Sequence, residues 1–200
     1  LSVTGYCHTK SFWNNQNCQL GDALILTKPL GTGTHTAALK RQTVTEKEIA
    51  AVINSMTQLN AVPNLLPKDL LASVHSATDI TGFGFLGHAL NMSKASNKTF
   101  SINYSQIPLF DGTLDSIEKG FLTEAHRTNR EYAGPFSNFG ALTELQIQSL
   151  CDPQTSGGLL LSVDSKMAET VAREIRSYFP QTQIVGRVDE QIGVEHLRFI

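Results

Sequence analysis

Thr78, Asp79, Thr81, Gly82 and Gly84 stand together in the string TDITGFGFLGHAL, residues 78–90, and these residue types could hold a phosphorylated ligand. If a strand ends near Asp79 and a helix begins near Phe83, Gly82 and Gly84 let backbone amides turn outward at a helix N-terminus. The partial positive charge there favours phosphate. Asp79 would repel that phosphate unless a cation lay between them, and a hard ion such as Mg²⁺ binds through carboxylate and phosphate oxygens in this way. A plain tight turn, with an acid that complements the helix dipole, accounts for the same string. One loop aspartate is in any case a weak Mg²⁺ site, able to complete a metal site but hardly to constitute one.

Other residues invite the same test. Lys28, in LTKPLGTG at residues 26–33, could reach a phosphate, although a lysine ahead of a Pro-Leu-Gly turn also fits a solvated strand end. His88, on the helix after Gly87, reads as a hydrogen-bonded structural histidine ahead of a catalytic base. Asp152-Pro153 starts a turn, and Gln154, Thr155 and Ser156 either line a cleft or simply cap that turn. Phe83, Phe85 and Leu86 read as core. His8 and His35 acquire no nameable partner. Cys7, Cys18 and Cys151 lie far apart with no C-x-x-C pair, which argues against a zinc site and a disulfide framework and fits a reducing cytoplasm.

The composition sets wider bounds. The chain has 200 residues and is 40% hydrophobic, enough to bury a real core. Only 17% of residues are charged, which leaves uncharged surface for contact with something else, a missing partner domain being one candidate. A formal net charge of -2 and no run of lysine or arginine give no electrostatic footprint for nucleic acid or anionic lipid. The apolar runs are short and no basic-then-apolar signal segment opens the chain, so nothing points to export or a membrane span. The opening LSVTGYC reads as the middle of a β-strand, with Leu1 and Val3 on one face and Gly5 as a break, and so as part of a longer protein.

Periodicity outlines the scaffold around these residues. Gly21-Asp22 marks a turn, Ala23–Thr27 is a β-prone run, and a helix opens at Gly31 and Gly33 and runs through Leu39. Thr45 and Glu48 form a capping box for a second helix carrying Ile49, Val52, Ile53 and Met56 at helical spacing. Pro63 and Pro67 end or interrupt the segment after it. LLASVHSATDI enters the opening motif as a strand, and Phe85, Leu86, Ala89, Leu90 and Met92 form the apolar side of the next helix. In TFSINYS, Phe100, Ile102 and Tyr104 alternate as in a strand. Residues 111–140 read as a short helix and a long loop. GGLLLSV is a strand, Met167, Ala168, Val171, Ala172 and Ile175 stripe a helix that stops before Pro180, and QIVGRV and VEHLRFI finish as strands. Five or six strands without regular βαβ alternation predict an α+β fold with a mixed β-sheet flanked by helices. The 45–56 and 166–178 helices are expected to pack on that sheet.

LTKPLGTG at 26–33, TDITGFGFLGH at 78–88, NREYAG at 129–134 and DPQTSGGLL at 152–160 together resemble the C-terminal half of the selenophosphate synthetase (selenide, water dikinase) family. Relatives with a similar architecture, such as aminoimidazole ribonucleotide synthetase, thiamine-monophosphate kinase and the hydrogenase-maturation dehydratase, are not expected to carry all of these strings. The resemblance implies that residues 1–20 are the end of an N-terminal ATP-binding domain and a linker, and that 21–200 form the C-terminal α+β domain. It implies that Asp79 is a metal ligand of a Mg²⁺-ATP site, with Thr78, Thr81, Gly82 and Gly84 beside the nucleotide. It implies further a reaction in which ATP, selenide and water yield selenophosphate, AMP and phosphate. The reactive Cys or selenocysteine, its lysine and the other metal-binding aspartates would lie in the N-terminal domain, none of Cys7, Cys18 and Cys151 matching that position. No catalytic residue is then expected in this chain, which would be inactive alone, part of a homodimer when full length, and cytoplasmic. A noncatalytic paralogue or free-standing binding domain is the alternative.

Overall fold

The computed structural model describes residues 4–5 and 12–200; Cys7, His8 and the strand expected around Leu1 and Val3 lie outside the described residues. The chain opens with β1 (Ala23–Leu26), α1 (Thr32–Lys40), α2 (Ala50–Thr57), α3 (Val62–Leu65) and α4 (Lys68–Leu71). It continues through β2 (Val74–Asp79), α5 (Gly84–Ser96), β3 (Lys98–Ile102), α6 (Thr113–Glu118) and α7 (Glu124–Ala133). The last part comprises β4 (Ser137–Asn138), α8 (Glu144–Cys151), β5 (Leu159–Val163), α9 (Ala168–Arg176), β6 (Gln183–Glu190) and β7 (Leu197–Phe199).

All seven strands join one mixed sheet in the order β2-β5-β1-β6-β3-β7-β4. The strands expected at Ala23–Thr27, Val74–Thr78, Leu159–Val163 and Ile184–Val188 are neighbours in it, through antiparallel β2–β5, β5–β1 and β1–β6 pairs. Alternation along β1 divides the core. Leu24 and Leu26 face a cluster with Phe85, Leu86, Leu90 and Met92 of α5, while Ile25 faces one with Val171, Ala172 and Ile175 of α9.

Four expectations need correction. Thr45 and Glu48 make their capping box, but a turn intervenes and α2 starts at Ala50; it packs with Phe110 in a third cluster rather than on the sheet. Pro63 and Pro67 start α3 and α4 instead of ending a helix, because proline's fixed φ suits a first helical turn. Tyr104 lies in a 3₁₀ turn beyond β3, although it joins Phe100 and Ile102 in the core. The long loop expected within 111–140 contains α7, whose buried positions are His126, Asn129 and Ala133. Two of these are polar, so hydrophobic periodicity could not reveal the helix.

Candidate functional site

Strands β1 and β2 both run antiparallel to β5, so the ends of β1 and β2 meet the start of β5 at one edge of the sheet. Three glycine-rich loops converge there. Ile80 N–H donates to Gly158 O (2.8 Å) and Gln154 N–H to Thr81 O (2.9 Å), joining the second loop to the third. Thr27 N–H donates to Leu159 O (3.0 Å), and Leu159 N–H to Thr27 Oγ1 (2.8 Å), joining the first to the third. A Cβ on Gly157 would stand 2.3 Å from Ile80 O and one on Gly158 2.6 Å from Lys28 N, so contact between the loops requires both glycines.

The N-terminus of α1 is sealed by the chain itself. Asp152, fully buried, accepts from Gly33 N–H at Oδ2 (3.0 Å) and from Thr34 N–H at Oδ1 (2.8 Å). Gln154 Oε1 accepts from Gly31 N–H (3.2 Å), Thr32 N–H (3.3 Å) and Thr32 Oγ1 (3.2 Å), while its Nε2 donates to Asp152 Oδ2 (2.7 Å). These groups fill the helix-start donors that would otherwise attract an anion. His126 approaches from α7, its Nε2 lying 3.1 Å from Asp152 Oδ1 without hydrogen-bond geometry. Because Thr123 N–H donates to His126 Nδ1 (3.1 Å), a neutral ring carries its proton on Nε2, toward the carboxylate. Asp152 therefore belongs to the scaffold, and the turn after it caps α1 rather than only itself.

The start of α5 is built differently. Asp79, the last residue of β2, is exposed, and so is Gly82, where an added Cβ would meet nothing within 4 Å. The N–H groups of Thr81, Gly82 and Phe83 have no hydrogen-bond partner among the described residues. Gly84 departs from expectation: its N–H donates to Thr81 O (3.0 Å) instead of turning outward, and it is buried. At φ 66°, its missing Cβ would lie 2.9 Å from the carbonyl groups of Cys151 and Leu150, so Gly84 lets α5 approach the end of α8. Thr78, partly buried at the strand end, completes the group. His88 Nε2 lies 3.0 Å from Thr81 Oγ1, and burial lowers its pKa below the usual histidine range, with Asp79 acting in the opposite direction. Phe83 is 53% exposed and stands against His88 and Tyr132, unlike its buried neighbours Phe85 and Leu86.

Lys28 does not end in solvent. It is buried, and its Nζ donates to Ser55 O (3.0 Å), Gln58 O (2.7 Å) and Ser156 O (3.1 Å). His35 is also structural, its ring bridging Gly31 O and Asp111 O. Sequence reasoning missed Asn129 as the tether of the second loop: Nδ2 donates to Gly82 O and to Cys151 O, both at 2.9 Å. The signal that could have found this region is the capping box formed by Thr123 and His126; Thr143 and Gln146 announce α8 in the same manner.

Asp79 opens onto a cleft of about 970 Å³ along the β2 edge, which Trp13, Asn60, Lys68 and His75 also line. Among the described residues no group of three or more His, Cys, Asp or Glu is placed to hold a metal ion. An exposed carboxylate at a strand end fits the part of one protein ligand to a hard cation whose remaining ligands are phosphate oxygens and water.

The molecule is thus an α+β protein of layered build with an open acidic glycine turn at its sheet edge. The chain belongs to the family described as AIR synthase related protein, C-terminal domain, which it matches over residues 19–196. It is 49% identical to the selenide, water dikinase of Nitrosomonas eutropha over 94% of its own length and 54% of the relative's. The chain thus spans about half the length of that relative. Among solved structures it is similar to E. coli HypE, a hydrogenase maturation protein (TM-score 0.65, 20% identity, 96% of this chain and 49% of that one). It is also similar to HypE in complex with ATP (TM-score 0.61, 16% identity, 89% and 45%). Both likenesses concern the fold.

Proposed function

We propose that this chain is the C-terminal half of a selenide, water dikinase, which makes selenophosphate, AMP and phosphate from ATP, selenide and water. The observation that carries this reading is the open turn at the end of β2, with an exposed carboxylate at Asp79 and amides at Thr81, Gly82 and Phe83 that have no partner among the described residues. Support comes from the 49% identity to a named dikinase and from a fold neighbour in complex with ATP. Residues 1–20 would lead from an N-terminal ATP-binding domain, 21–200 would form the C-terminal domain, and the complete protein would be a homodimer.

In this reading Asp79 is one carboxylate ligand of Mg²⁺, which when bound supplies charge neutralisation and Lewis-acid polarisation at the phosphates. The chain's own part is positioning. Gly82 leaves room for a phosphate group, the Thr81–Phe83 amides offer it donors, and Asn129 holds the Gly82 carbonyl so that the turn stays in place. Thr78 stands beside Asp79, whereas Gly84 supports the turn from behind. The test is selenide-dependent AMP formation by the complete protein, followed for Asp79→Asn across Mg²⁺ concentrations. No selenide-dependent AMP from the unaltered protein overturns the reaction assigned, and full turnover by the variant removes Asp79 from the site.

A further inference from the structure

Three carboxylate or ammonium groups are buried among the described residues, Asp22, Lys28 and Asp152, and two of them have charged or chargeable partners. Asp22 lies 2.9 Å from His75 Nδ1, and Asp152 is 3.1 Å from His126 Nε2. Lys28 takes part in none of the ion pairs among the described residues. Its ammonium is satisfied as a donor by three carbonyls, two of them at the C-terminal end of α2, where a cation is favoured. Its charge nevertheless has no formal counter-charge within ion-pair distance among the described residues, a costly arrangement for a buried group. Burial accordingly lowers the Lys28 pKa from the usual lysine range.

The third carbonyl shows where a counter-charge would be felt. It belongs to Ser156, a non-glycine residue at φ 51° in a turn whose Thr155 and Ser156 are exposed and whose Gly157 is buried, hydrogen-bonded to the Asp79 loop at both flanks. The Ser156–Gly157 peptide is trans, so the Gly157 N–H points away from Lys28 while the carbonyl points toward it. A cation bound to the carbonyl polarises that N–H. Neither Ser156 N–H nor Gly157 N–H has an acceptor among the described residues, and the side chains of Thr155 and Ser156 belong to exposed residues.

We propose that the Thr155–Gly157 turn binds a phosphate oxyanion beside Gly82, and that Lys28 is a positioning residue whose charge acts on that anion through the Ser156–Gly157 peptide. The inference rests on the reading that the neighbouring Asp79 loop receives a phosphorylated ligand, and adds a second point of contact to it. An anion on the far side of that peptide would lie about 8 Å from the ammonium. At an effective dielectric constant near 20, a charge pair at about that distance changes affinity by roughly tenfold or more.

The test uses the intact protein without metal, labelled with ¹⁵N at serine and glycine and with ¹³C at lysine Cε, and titrated with inorganic pyrophosphate. The Ser156 and Gly157 amides should shift saturably, and pyrophosphate should raise the Lys28 pKa because an anion favours the charged ammonium. Lys28→Met should weaken binding by roughly tenfold; the pKa response of the unaltered protein decides the matter if that variant fails to fold. Unmoved Ser156 and Gly157 amides, an unmoved Lys28 titration, or amide shifts confined to Ser55, in the separate pocket that Ala51, Asn54 and Phe179 also line, would overturn the proposal. Such failure leaves selenide-dependent AMP formation untouched, so it is distinguishable from failure of the proposed reaction.

Discussion

The starts of α1 and α5 look alike in sequence and are opposites in the folded chain. Both follow a strand of the same sheet through a turn with two glycines separated by one residue. At α1 the helix-start amides receive the buried carboxylate of Asp152 and the amide oxygen of Gln154, delivered from residues more than a hundred positions away. At α5 the acid is local, exposed and aimed at no backbone donor, and the turn's amides stay unpaired among the described residues. The same electrostatic tendency of a helix N-terminus is met by the interior in one place and left open in the other. What separates the two is whether another loop supplies the anion.

Substitution at the sealed turn should have the largest effect on stability. Asp152→Ala strands the Gly33 and Thr34 amides together with His126 and Gln154 in a buried space, at a cost of roughly 3–5 kcal/mol. Denaturant unfolding measures this directly, and a loss below about 1 kcal/mol would mean that the two turns differ less than the contacts indicate. At the open turn the balance reverses. Asp79→Asn should lower turnover of the complete protein by roughly 10²-fold or more while changing stability by no more than about 0.5 kcal/mol. An equally large loss of melting temperature would make Asp79 structural after all.

Gly84→Ala tests the part of the open turn that is not open. A Cβ there combines a left-handed φ with 2.9 Å approaches to the Cys151 and Leu150 carbonyls, which predicts a loss of roughly 2–3 kcal/mol in thermal or chemical unfolding. The same change at Gly82, where nothing lies within 4 Å, should be far milder. The smallest effect concerns His88. Its folded pKa lies below the ordinary 6.5 because of burial, so the unfolded chain takes up the proton first. The associated stability is present above about pH 6.5 and is lost as pH falls from there toward the folded pKa. Asp79→Asn removes the opposing charge and should lower the His88 pKa further, as NMR titration of the ring would show; an unchanged pKa would mean that the exposed carboxylate is screened from it.

Much of the scaffold was readable before folding. The apolar runs of Ala23–Thr27 and Leu159–Val163 and the helical stripe from Met167 to Ile175 reflect burial, which leaves a local mark in the chain. The acid of Asp79 and the glycine of Gly82 kept the positions that the local string implied, because a strand end followed by a helix start is a short-range arrangement. Helix α7 left no such mark, since it meets its neighbours through His126 and Asn129 rather than an apolar stripe.

Residue order alone was enough for the α+β class, the existence of the strands at Ala23–Thr27, Val74–Thr78, Leu159–Val163 and Ile184–Val188, and the acid at the end of β2, because each depends on propensity and periodicity within a few residues. It took the folded chain to establish that Gly84 stands against the Cys151 and Leu150 carbonyls, that Lys28 is buried with its donors used, and that Asp152 closes α1. Each of these depends on a partner distant along the chain, and a hydrogen bond or steric contact is fixed by a distance of a few ångströms that sequence spacing does not contain.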